Sequence, residues 1–103
     1  MNPNEKKVLS LLGLAMRGRN LVSGEQQVVE AIRDGSAYMV VLATDASANT
    51  SKLYHDKTTY YEVPLYEFGT KELLGGAIGK DYRSAVAVTE SGLANSIIRL
   101  LEN

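Results

Sequence analysis

At 103 residues the chain is long enough for one domain and too short for two, and its 45% of apolar residues allows a packed core. It carries no Cys and one His, His55, which excludes disulfides and any metal centre built from thiolates or several imidazoles. The formal net charge of -1 excludes a globally basic nucleic-acid binder, so any such surface has to be a local patch.

Asn2 with Pro3 behind it and Glu5 in the first turn predicts a capped helix start. The helix then carries Val8, Leu9, Leu11, Leu12, Leu14, Ala15 and Met16, apolar nearly all round and therefore expected to be well buried. Gly13 inside it suits close packing, and Arg17-Gly18-Arg19-Asn20 ends it. Leu21-Val22 reads as a short strand. Ser23 followed by Gln26 fits a capping box, opening a helix with Val28, Val29, Ala31 and Ile32 on one side and Gln26, Gln27, Glu30 and Arg33 on the other. Asp34-Gly35 closes it.

Tyr38 to Ala43 is a continuous apolar run, the pattern of a central strand buried on both faces. Thr44 to Ser47 is a loop. Asn49 to about Tyr60 predicts a polar helix with Leu53 as its anchor. Val63 to Tyr66 is a strand whose Pro64 suits its start or an edge. Thr70 caps a short helix through Leu74, and the glycine-rich Gly75 to Lys80 reads as a turn. Ser84 to Thr89 is a strand, and Ser91 to Leu101 the last helix. Strands alternating with helices predict a single-domain α/β fold over residues 1–103.

No catalytic constellation emerges. In GGAIGKD a phosphate-binding Walker loop would need a glycine at Leu74 and a hydroxyl at Asp81, so the match fails. His55 and Asp56 are neighbours in sequence and do not face each other on a helix. Ser10, Ser23 and Ser47 lack a nucleophile-elbow context, and the carboxylates are scattered. The expectation is a protein without catalysis, cofactor or metal. Tyr54, Tyr60, Tyr61, Tyr66 and Tyr82 could stack on bases, but a ring buried with its hydroxyl wet is the ordinary fate of such residues. Tyr82 differs because Lys80 and Arg83 flank it in a loop, which suits stacking combined with phosphate contact.

Taken together, LVSGEQQVVEAIRDG, YMVVLATDAS and VPLYEFGTKELLGGAIGKDYRSAVAV resemble the kink-turn RNA-binding ribosomal protein superfamily of the large-subunit "seven-Ae" and "thirty-e" type, nearest its YlxQ-like bacterial branch. The resemblance spans nearly the whole chain. It implies a three-layer α/β/α sandwich with a small mixed sheet. It also implies an RNA surface made from the start of the second helix and two loops beside it. In the family's pattern a glycine is followed after one residue by a polar pair that contacts sheared G·A pairs; here these are Gly24, then Glu25, then Gln26-Gln27. Where the family commonly has a lysine three residues further on, this chain has Glu30, with Arg33 placed to pair with it. The second contact is the loop Thr44-Asp45-Ala46. The third runs from Lys80 through Tyr82 and Arg83 to Ser84, nearer the "thirty-e" pattern.

The partner so implied is structured RNA, ribosomal or another kink-turn, or the ribosome itself, bound by a monomer. The polar start Met1 to Glu5 does not read as a secretory leader and no apolar run reaches membrane-spanning length, so a cytoplasmic protein without a membrane partner is expected. The alternative function is a protein-interaction module on the same fold, which Glu30 and the net charge favour. If the family fold holds, Gly24, Gln27, Asp45 and Arg83 cluster at one end of the sheet.

Overall fold

The computed structural model describes all residues, Met1–Asn103. Five helices and four strands follow in the order α1 (Pro3–Arg17), β1 (Leu21–Val22), α2 (Glu25–Asp34), β2 (Met39–Leu42), α3 (Ala48–Tyr60), β3 (Leu65–Glu67), α4 (Lys71–Ala77), β4 (Ala85–Val88) and α5 (Ser91–Glu102). The sheet order is β1-β4-β2-β3, with β4 antiparallel to both neighbours and β2 parallel to β3. This is the expected three-layer α/β/α sandwich on a small mixed sheet.

The two central strands explain the layering. All residues of β2 and β4 are buried, and because successive side chains point to opposite faces, each strand feeds two cores. Met39, Val41, Val86 and Val88 pack with Val8 and Leu12 of α1, Leu74 of α4 and Ile97 of α5. On the other face Val40, Leu42, Ala85 and Ala87 pack with Val28 and Ile32 of α2 and Tyr54 of α3. Two cores from two four-residue strands leave no room for the alternating polar positions of a half-exposed sheet.

Several expectations are corrected. Helix α1 is less enclosed than its composition suggests: Val8, Leu12 and Ala15 are buried while Leu14 is 48% exposed. Its Gly13 is required, because a Cβ there would stand 2.8 Å from the Ala77 carbonyl oxygen of α4. In α3 the anchor is Tyr54 with Thr58, and Leu53 is only half-buried. Thr58 escapes the cost of a buried hydroxyl by donating from Oγ1 to the Tyr54 carbonyl at 2.7 Å. Helix α4 continues past Leu74 to Ala77, so Gly75 and Gly76 are helical. Gly75 is where the following loop crosses the helix; a Cβ there would collide with the Asp81 carbonyl oxygen.

Strand register then gathers three connections. Leu42 pairs with Ala85 and Val22 with Ala87. The exit of β1 into α2, the loop after β2 and the loop before β4 therefore emerge at the same end of the sheet.

Candidate nucleic-acid interface

Helix α2 starts without a side-chain cap. The N-cap is Gly24, and no side chain accepts from the first turn. The Ser23–Gln26 capping box expected from sequence does not form. Ser23 Oγ instead accepts from Arg83 Nε at 3.1 Å. The first backbone bond into the helix runs from Val28 N–H to the Gly24 carbonyl at 2.8 Å, leaving the N–H groups of Glu25, Gln26 and Gln27 without a protein acceptor. These donors and the aligned peptide dipoles favour a negative group there.

Glu25, Gln26 and Gln27 are all exposed. The Gln27 amide folds back over Gly24, with Oε1 3.1 Å from where a Cβ would stand, so its present position depends on that residue being glycine. Glu30 and Arg33 are both exposed on the same helix. The ion pair expected between them is absent, since the salt bridges are Lys52–Asp56 and His55–Glu67. Both side chains are long and solvated, so an exposed pair returns little for holding them together.

The loop before β4 is seated firmly. Lys80 N–H donates to the Gly75 carbonyl at 2.8 Å and Arg83 N–H to the Lys71 carbonyl at 3.0 Å. Arg83 also donates from a terminal nitrogen to the Tyr82 carbonyl at 2.8 Å, and the rest of its guanidinium donors stay free. Tyr82 is 62% exposed, and Lys80 is exposed beside it. The loop after β2 is tied inward. Thr44 donates from both N–H and Oγ1 to the Gly69 carbonyl, at 2.8 Å each, and Asp45 Oδ1 accepts from Lys71 N–H at 2.8 Å.

Gly24 and Glu25 share one cleft of about 220 Å³ with Ser23, Tyr54, Tyr82, Arg83, Ser84 and Ala85. Tyr54 is a member that was not among the expected contact residues. Its ring is 2% exposed and belongs to the core beneath α2 and α3, yet its hydroxyl has no protein partner and opens to the cleft. Burial, and then the charge of Glu25, push that hydroxyl up to about 12. It therefore stays protonated through the neutral range, able to donate and accept. The signal was the spacing Thr50, Tyr54, Thr58, a face that hydropathy scores as polar. A larger hollow of about 510 Å³ lies over Leu53, Asp56, Lys57, Tyr60 and Tyr61. One helix and its C-cap supply all of its lining, so no groups from separate elements converge there.

Gly24 and Arg83 thus meet at one cleft, with Asp45 joined to Arg83 through Lys71. Gln27 stands on the same helix start, whereas Glu30 and Arg33 lie one and two turns along α2. No helix is long and apolar enough to cross a membrane.

Comparison with known proteins identifies the family. The chain is 49% identical over 92 residues to the RNA-binding protein YlxQ of Bacillus subtilis (strain 168), covering 89% of this chain and 92% of that protein. It is 38% identical to the RNA-binding protein YlxQ of Enterococcus faecium, covering 96% of this chain and 95% of that one. A solved structure of a protein of unknown function from Bacillus halodurans C superposes with a TM-score of 0.90 at 40% identity, covering 94% of this chain and 98% of that one. Residues 6–98 match the ribosomal protein L7Ae/L30e/S12e/Gadd45 family, and the chain belongs to that family, in its YlxQ-like bacterial branch.

Proposed function

We infer that this protein binds structured RNA carrying a kink-turn-like element, in the cytoplasm and in association with the ribosome, as a monomer and without catalysis. The observation that carries this reading is the uncapped N-terminus of α2, which shares a cleft with Arg83 and Tyr82. RNA phosphate is the ligand whose charge suits free helix N–H groups and a guanidinium together. Gln26 and Gln27 offer donors and acceptors to base edges, and Gly24 lets the backbone approach closely. Tyr82 supplies a face for base stacking, while Lys80 adds a point charge to the backbone. The relatives from Bacillus subtilis and Enterococcus faecium, each named an RNA-binding protein, support the same reading.

A protein-interaction module with weakened RNA contact is the second reading, and unpaired Glu30 favours it. A carboxylate about 6 Å from a phosphate is repelled by roughly 3 kcal/mol at an effective dielectric of about 20, before salt screening. The two readings separate in one titration. A kink-turn RNA and a control with its sheared G·A pairs replaced by Watson–Crick pairs are measured against wild type and Gln27→Ala. RNA binding predicts preference for the kink-turn and a loss in the variant. Equal, weak binding of both RNAs, indifferent to Gln27, would move the function to protein partners. The salt dependence sharpens the result: with Lys80, Arg83 and Arg33 near the site, and Lys71 at the junction of its two loops, the slope of log K on log salt should be about -2 to -4.

A further inference from the structure

Beyond the last sheet bond between the strand ends, from Ala43 N–H to the Ser84 carbonyl at 2.7 Å, the two contact loops are joined through a third segment. The Gly69 carbonyl receives both donors of Thr44. Two residues on, Lys71 is held on both sides of its own backbone: its N–H donates to Asp45 Oδ1 and its carbonyl accepts from Arg83 N–H. Lys71 opens α4, where the first N–H groups have no intrahelical acceptor. The Thr70 hydroxyl is engaged by Leu73 N–H instead. Asp45 is therefore the side chain on which the Lys71 N–H depends.

We propose that Asp45 is a positioning residue of the RNA site, its carboxylate fixing Lys71 so that the Lys71 carbonyl sets the backbone of Arg83 and aims the guanidinium across Ser23 at the start of α2. This rests on the RNA reading above, and it changes the role of Asp45 from a direct contact to a clamp. A free carboxylate beside RNA repels phosphate and could at most accept from a base amine, whereas this one already accepts the Lys71 N–H and so fixes two loops in one register. The loop residues then reach the ligand preorganised, which lowers the ordering cost of binding.

Asp45→Ala and Asp45→Asn separate the alternatives because Asn keeps the acceptor oxygen and loses the charge. For the clamp, Asp45→Ala weakens kink-turn RNA binding by about tenfold, whereas Asp45→Asn stays within about twofold of wild type or binds tighter. A direct, repelled carboxylate predicts the opposite sign, with both variants binding more tightly at low salt. Amide hydrogen exchange on the free protein reads the clamp without RNA: protection of Lys71 and Arg83 N–H should fall in Asp45→Ala and return in Asp45→Asn. Unchanged Arg83 protection in Asp45→Ala, or wild-type affinity in that variant, overturns the positioning role alone. Wild-type protein that prefers no RNA overturns the RNA reading and the positioning role with it.

Discussion

At the start of α1, Asn2 Oδ1 accepts from Glu5 N–H at 2.9 Å while Glu5 Oε1 accepts from Asn2 N–H at 2.8 Å, a reciprocal capping box. At the start of α2, Gly24 has no side chain to offer and the nearest hydroxyl, Ser23 Oγ, is turned to Arg83. The other helices follow α1: Ser47 caps α3, Thr70 caps α4 and Glu90 caps α5. The Glu90 bonds to Gly92 and Leu93 N–H hold its carboxyl below the usual carboxylate range. Four helix starts thus spend a side chain on their free donors, and α2 leaves them to solvent or ligand. The difference separates a helix start that serves the fold alone from one available for recognition.

The comparison breaks if closing α2 does nothing. Gly24→Asp would install the missing cap at a backbone conformation, φ -74 and ψ 146, that any residue adopts. The only close neighbour of the new Cβ is the flexible tip of Gln27, which can swing aside. Stability in a denaturant titration should rise by a few tenths of a kcal/mol, while RNA affinity should fall at least about tenfold as the cap carboxylate occupies the donors and repels phosphate. Unchanged affinity in this variant would mean the α2 start does not meet RNA.

Glu30→Lys sharpens the same contrast one turn further along α2. Reversing an exposed charge on the proposed ligand side should strengthen kink-turn binding by about three- to tenfold at low salt, the gain shrinking as salt is added. Thermal unfolding should hardly move, because position 30 is exposed and Lys is a good helix former. An affinity indifferent to this substitution at low salt would favour the protein-interaction reading.

The smallest effect on RNA should come from opening α1. Asn2→Ala removes half of the capping box and should cost about 1 kcal/mol of stability. Kink-turn affinity, measured where the variant is fully folded, should match wild type. A parallel loss of affinity would show that the two helix starts are not independent.

Much of the frame could be read directly from the chain. The unbroken run Tyr38 to Ala43 announced a strand buried on both faces, although Tyr38 itself stays 50% exposed just outside it. Asn2-Pro3-Asn4-Glu5 announced the first helix start, because a cap and its partner lie within one turn. The glycine-polar motif at Gly24 to Gln27 marked the helix start that the structure leaves open.

Sequence by itself determined the order of elements, the double burial of the central strands and the family, since periodicity and local motifs report interactions within a few residues. Tertiary structure decided the partners. Ser23 had a local acceptor role available three residues away and took a donor 60 residues away, because β4 lies beside β1 and brings Arg83 to it. Asp45 likewise met Lys71 across 26 residues. Tyr54 became a buried cleft residue only once α3 packed on the sheet beside α2. Such choices rest on which loops the strand register delivers to the same end of the sheet, and short-range pattern carries no information about that.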